Sequence, residues 1–455
     1  MDYGMALWKR VKPLVKPSLP FLSKGFQDGS LLLLCFLAAV FPSRNFAPYD
    51  SVFWKLSVPY FCFYTLGFFG NILCGIVSSL QGRNRTYMIS LIPLLFGTLL
   101  LLGALPFTLK LLPLHAVAFS FMGIGNVAAN CCIMPSVIEN LENGPKDVKV
   151  SDFIITTRVS EYVGFGLVIF FGSLLYLLFG EKYRNWIIFL LLCQSFGLHV
   201  FTILSVSETR ESSLFTSSMS SQKLNFFTLM KYIWSSFRQN EMYIMLFGAT
   251  LLFLTCNSLS LWFLLFAENW TWMAKTGRFM FYIVWIVFSA LRILICCSLS
   301  KLINKFGYSY VFLFSCSLIA AMECLQFLIQ LRIISILLAF TYTFLVPVVV
   351  IFTELFLVHT VPSRIRSSWM GVVKSMENIG AFSVMIPILV LLRPNRQVPI
   401  HLDRVNSMRV VFSGFWLLIV LVGYWLIHRA ALVVDTPLRV VDEQYQTRQP
   451  SDKKD

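Results

Sequence analysis

Twelve stretches of about twenty predominantly apolar residues follow one another along the chain. They lie near 30–48, 55–80, 87–106, 113–139, 152–180, 184–206, 242–267, 277–300, 308–329, 332–358, 367–392 and 408–430. Lipid offers a backbone no hydrogen bonds, so runs of this length have to close their own as spanning helices. Composition excludes a water-soluble alternative, because 57% of the residues are hydrophobic and only 13% charged, too few to cover a water-facing surface. The expected fold class is an all-α polytopic membrane protein with 12 transmembrane helices, six on each side of one polar insert.

The domain reading follows those spans. It comprises a cytosolic N-terminal segment at 1–29, a six-helix bundle at 30–206, a linker at 207–241, a second six-helix bundle at 242–430 and a polar tail at 431–455. The linker is Ser-rich at 212–221 and amphipathic from about 223 to 238. With both termini in the cytosol, inner segments carry close to twice as many Lys and Arg residues as outer ones, which is the usual bias of multi-pass proteins. The net charge of +15 is therefore read as topogenic and lipid-facing, and nucleic acid is not an expected partner.

Eleven cysteines lie within or at the ends of apolar spans, with no framework spacing in an outer loop. Five scattered histidines have no Cys or acidic partners at ligand spacing, so neither a metal site nor a cofactor is expected. No paired carboxylates and no nucleophile triad converge in the sequence, so an enzyme is not expected.

Two short loops occupy equivalent places. After the second span stands Gly75-x-x-x-Ser79-Leu80-x-Gly82-Arg83, and after the eighth Ser300-x-x-x-Asn304-Lys305-Phe306-Gly307. Glycine permits a tight turn and close helix approach, and the basic residue stays at the inner interface. A second echo ties the halves together: Arg158-x-x-Glu161-x-x-Gly164 in the fifth span matches Lys374-x-x-Glu377-x-x-Gly380 in the eleventh, and Glu139 and Glu354 each end the span before.

The paired loops resemble the signature loop of the major facilitator superfamily, and the resemblance covers about residues 30 to 430. In this chain Ser79 and Asn304 stand where that loop carries Asp, which weakens or replaces its charged lock. Glu354-Leu355-Phe356 followed by Pro362 and Arg366 is similar to the junction of helices 10 and 11 in the sugar-porter and organic-ion branches. The seventh span has Cys256-Asn257-Ser258-Leu259-Ser260 in place of the sugar-porter motif, so a sugar is not established. The resemblance implies the major facilitator fold, two pseudo-symmetric bundles that open by alternating access, and a monomeric carrier, secondary active or facilitative, of a small polar or anionic solute, with a proton as the candidate coupling ion. An equilibrative nucleoside transporter is a second resemblance, though its eleven spans conflict with the 408–430 helix. A non-transporting receptor or scaffold on the same fold is a third reading.

Buried charge marks the candidate site. A charged side chain at a helix centre costs roughly 2.5–3.5 kcal/mol on insertion scales, so it normally faces a partner or a watery cavity. Arg158 with Glu161, and Lys374 with Glu377, are three apart and share a helix face. These four, with Glu139, Glu354 and Arg366, are candidate gating or coupling residues, either pairing among themselves or touching substrate or proton. Arg292, halfway along the eighth span, is the leading substrate candidate, and an unpaired guanidinium there favours an anionic or zwitterionic ligand. Pairing with Glu377 or Glu161 is the structural alternative. Asn126, Asn130 and Asn257 are candidate cavity residues, and Glu323 is read as packing or lipid-adjacent.

Overall fold

The structure, a computed structural model, describes residues 18–32, 49–104, 112–136, 138, 149–179, 183–205, 226–276, 278–329, 331–361, 363–391 and 402–434. Among these residues there is no strand. Helix α1 covers 18–32, α2 Tyr49–Gln81, α3 Arg83–Ala104 and α4 Leu112–Asn126, which continues through a π-helical turn at Ala129–Ile133. Then follow α5 Val150–Phe179, α6 Arg184–Ser205, α7 Phe226–Thr276, α8 Arg278–Phe306, α9 Tyr308–Ile329, α10 Arg332–Thr360 and α11 Ser363–Leu391. The order closes with α12 Leu402–Val422 and α13 Tyr424–Val433.

Eight of these helices are long and apolar enough to cross a membrane, and α12 with α13, bent by 57°, makes a ninth. Helix α11 carries Arg366, Lys374 and Glu377 along its length. Large apolar side chains such as Phe69, Ile92, Phe170, Leu294 and Phe415 point outward, which suits lipid and not water.

Two elements depart from the sequence expectation. The first span, expected to begin at residue 30, is already helical from residue 18, and Phe21, Phe26 and Leu31 are buried. A hydropathy window stops at Lys24 and Asp28, but both charges are satisfied inside the bundle, so the helix carries them there. The linker expected at 207–241 is helical from Phe226, and that helix runs without a break into the seventh span. The remaining linker residues and the 435–455 tail lie outside the described residues.

Each half repeats one packing device. A Cβ on Gly164 would stand 2.3 Å from the Leu22 carbonyl oxygen and 3.1 Å from the Phe26 nitrogen, so α5 lies directly on α1. A Cβ on Gly380 would stand 2.4 Å from the Leu252 carbonyl oxygen and 3.3 Å from the Cys256 nitrogen, so α11 lies on α7 in the same way. Between the halves, α2 packs on α11 while α5 packs on α8 and α10.

The two signature loops shrink to one residue each. Gly82 has φ of 96° and Gly307 of 79°, left-handed values that a side chain strains. A methyl on Gly307 would meet nothing within 4 Å. Gly307→Ala is therefore expected to cost about 1 kcal/mol through backbone strain alone, seen as a lower melting temperature in detergent with uptake unchanged.

A buried clamp holds the outer layer of the second half. Arg409 on α12 donates from Nη2 to both Glu323 carboxylate oxygens, at 2.7 and 2.8 Å, and the Tyr342 hydroxyl donates to the same carboxylate at 2.6 Å. Glu323 is only 1% exposed, so it packs the bundle and does not face lipid. Glu323→Gln leaves the Arg409 charge buried without its counter-ion, an expected loss of about 3–5 kcal/mol. Replacing both residues by leucine is expected to recover much of the melting temperature, and no recovery would exclude the pair as the cause.

Candidate functional site

A cavity of about 510 Å³ lies between the two halves, large enough for a small organic molecule. Along α2 its lining steps from Asn71 through Gly67, Tyr64 and Tyr60 to Ser57, that is, away from the α2–α3 loop. Charged groups therefore cluster at the loop end of the cavity and aromatic groups toward the opposite end.

The charges form one continuous chain across four helices, and Asn126 ties in a fifth. Asn126 of α4 donates from Nδ2 to Asp28 at 2.8 Å, and Lys24 sits 3.4 Å from the same carboxylate. Lys24 also pairs with Glu161 of α5, which in turn pairs with Arg158. Arg158 donates from Nε to Glu354 of α10 at 3.0 Å and makes a second contact through Nη2. Glu354 takes Lys374 of α11 at 2.7 Å, and Lys374 reaches Glu377 at 3.0 Å. The critical link is Arg158 with Glu354, because it joins the first half of the molecule to the second. Glu354 is 1% exposed and neutralises one cation from each half.

Five of the candidate gating or coupling residues, Arg158, Glu161, Glu354, Lys374 and Glu377, thus meet in one network. Glu139 lies outside the described residues. Arg366 is fully buried at the start of α11, where its Nη2 donates to the Val361 carbonyl at 3.5 Å.

Arg292 lines the cavity beside that chain and pairs with neither Glu377 nor Glu161. Its guanidinium carbon sits 5.4 Å from the centre of the Tyr162 ring, and its buried Nε has no hydrogen-bond partner among the described residues. Lys24, Arg158 and Lys374, the other lining cations, each engage carboxylates. Asn126 and Asn130 also line the cavity, and each keeps a buried Oδ1 without a partner among the described residues. Such orphaned acceptors are what a bound solute or water satisfies.

Asn257 corrects the expectation: it donates to Ser413 of α12 and is absent from the cavity wall, which takes Ser258 and Leu259 from the same helix. Successive helical residues point about 100° apart, so a polar cluster in sequence cannot say which member faces inward. The sequence reading also missed Lys24, Asp28, Tyr162, Trp262 and Trp285, all of which line the cavity. A signal for the first two existed in the i, i+4 pair Lys24 and Asp28 just ahead of an apolar run.

At the loop end the halves are sewn together. Arg83 donates from Nε to the Ser367 hydroxyl at 2.9 Å, and the hydroxyls of Ser79 and Ser368 lie 2.9 Å apart. Ser368 also donates to the Gly75 carbonyl at 3.2 Å. Ser79, in the place of the signature Asp, thus makes a neutral hydrogen bond to α11. The second copy behaves differently: Asn304, Lys305 and Gly307 are exposed, and Lys305 lies over the ring of its neighbour Phe306.

No known family description matches the sequence, and no curated protein matches it either. Solved structures do match the fold. The human organic anion transporter MFSD10 (TETRAN) aligns over 92% of this chain and 99% of its own, with TM-score 0.63 and 14% identity. The proton:xylose symporter XylE, bound to 6-bromo-6-deoxy-D-glucose, aligns over 90% and 94%, with TM-score 0.64 and 13% identity. The nucleoside transporter NupG aligns over 90% and 98%, with TM-score 0.55 and 14% identity. The chain is an integral multi-pass membrane protein with the major facilitator fold. Those three proteins differ in the chemistry of their solutes, so the shared architecture leaves the solute to the site.

Proposed function

We propose that this protein is a secondary or facilitative carrier that moves a small polar or anionic solute by alternating access of its two halves. The observation that carries the reading is the cavity between the halves, lined by Arg158, whose ion pair with Glu354 joins the first half to the second. Hydrogen bonds and close glycine contacts at one end suit a seam that must open and reseal. Both termini lie in the cytosol on this reading, so the sewn loop end is the cytosolic gate. The protein works as a monomer in lipid, with Asp28 and Glu377 as the acids placed to take a coupled proton, since each is partly exposed and lines the cavity.

The test is uptake into proteoliposomes of labelled sugars, nucleosides, organic anions and amino acids, with and without a proton gradient. Saturable uptake of one class is expected. A folded, monodisperse protein that moves none of them would instead favour a receptor or scaffold role.

A further inference from the structure

One wall of the cavity combines an aromatic shelf with a cation, Arg292, that makes no carboxylate pair among the described residues. Trp262 of α7 and Trp285 of α8 stack with ring centres 5.0 Å apart and planes at 27°, and Phe165 of α5 meets Trp285 edge-on at 5.8 Å. All three line the cavity. Arg292 lies seven residues after Trp285 on the same face of α8, about 10 Å along the helix axis. The facing wall of α2 is aromatic as well, with Tyr60 and Tyr64 stacked at 6.1 Å.

We infer that the solute is a small aromatic monoanion, its carboxylate or sulfonate held by Arg292 and its ring system laid against Trp262, Trp285 and Phe165. This assignment rests on the carrier reading above. A planar guanidinium offers a carboxylate two parallel donors, and stacked indoles offer a ring a large rigid surface. Neutral solutes would leave the Arg292 guanidinium without a directly paired anion in a partly buried site. A second negative charge would meet Asp28, Glu161 and Glu377, because the three cations other than Arg292 are already engaged with carboxylates. Organic cations are opposed by Arg292 itself.

The experiment uses the full chain in proteoliposomes with 3-(2-naphthyl)propionate, its primary amide, and octanoate as the aliphatic acid, alongside a labelled sugar and a nucleoside. Wild-type protein is expected to take the naphthyl acid over the amide by about tenfold or more, and over octanoate by about fivefold. Arg292→Gln is expected to erase the acid preference and keep the aromatic one, whereas Trp285→Leu does the reverse. Arg292→Lys, which keeps the charge, is expected to retain part of the acid preference and so guards against a folding defect.

An Arg292→Gln protein that loses the acid and the amide in equal proportion would make that residue structural and overturn the assignment. Saturable transport of the sugar or nucleoside without competition by the naphthyl acid would overturn it too, while leaving the carrier reading intact. A folded protein that moves no member of the panel overturns both.

Discussion

Glu354→Gln is expected to remove about 3–5 kcal/mol of stability and to abolish saturable uptake. Glu354 is the anion shared by Arg158 and Lys374, and its side chain is buried at the join between halves. The amide keeps the shape and removes the charge, so two buried cations lose their common counter-ion. Arg158 retains Glu161 and Lys374 retains Glu377, which sets the ceiling on the loss. Adding Lys374→Gln to Glu354→Gln takes away one orphaned cation and leaves Glu377, itself partly exposed, to water. The double variant is therefore expected to melt higher than the single one, with coupling of about 1–3 kcal/mol. Melting followed by size-exclusion chromatography in detergent reads both effects, and a Glu354→Gln protein that melts with wild type would exclude the network as a structural link.

Gly371→Val carries the second large effect. A Cβ at Gly371 would stand 2.4 Å from the Asn71 carbonyl oxygen, a backbone atom that cannot swing aside. Valine there forces α2 and α11 apart at the end where Arg83, Ser79 and Ser368 sew them together. Overpacking costs typically about 1–3 kcal/mol, and if only the sewn arrangement bears it, the opened arrangement gains roughly 5–150-fold in relative population. Spin labels on the exposed positions Arg85 and Lys301, one in each half, are expected to report longer distances in Gly371→Val. Gly414, where a methyl meets nothing within 4 Å, supplies the control. Unchanged distances together with a lower melting temperature would mean local strain with no gating consequence.

Much of the architecture was legible in the residues. Eight of the twelve apolar runs, nine with the bent pair α12–α13, recur as spanning helices among the described residues, as do the Gly82 and Gly307 loops and the glycine echo at Gly164 and Gly380, because each depends on local geometry or on spacing along one helix. Hydropathy failed at α1. Lys24 and Asp28 look like the end of a span until Glu161 and Asn126 are brought beside them, and only the fold does that.

The site divides along the same line. Residue types and i, i+3 spacing were sufficient to single out Arg158, Glu161, Lys374, Glu377 and Glu354, since an ion in an apolar helix demands a partner wherever it goes. Partner choice was a matter of tertiary structure. It sent Arg158 across the molecule to Glu354, left Arg292 over Tyr162 without a carboxylate, turned Asn257 toward Ser413 and set the stacked indoles of Trp262 and Trp285 above the charges. By itself, then, the sequence determined a helical membrane protein with two related halves and named the ions at its heart. Which ions neutralise each other, and which one makes no carboxylate pair among the described residues, was decided by helix rotation and by contacts such as Arg158 with Glu354, 196 positions apart, a scale on which neither periodicity nor hydropathy carries information.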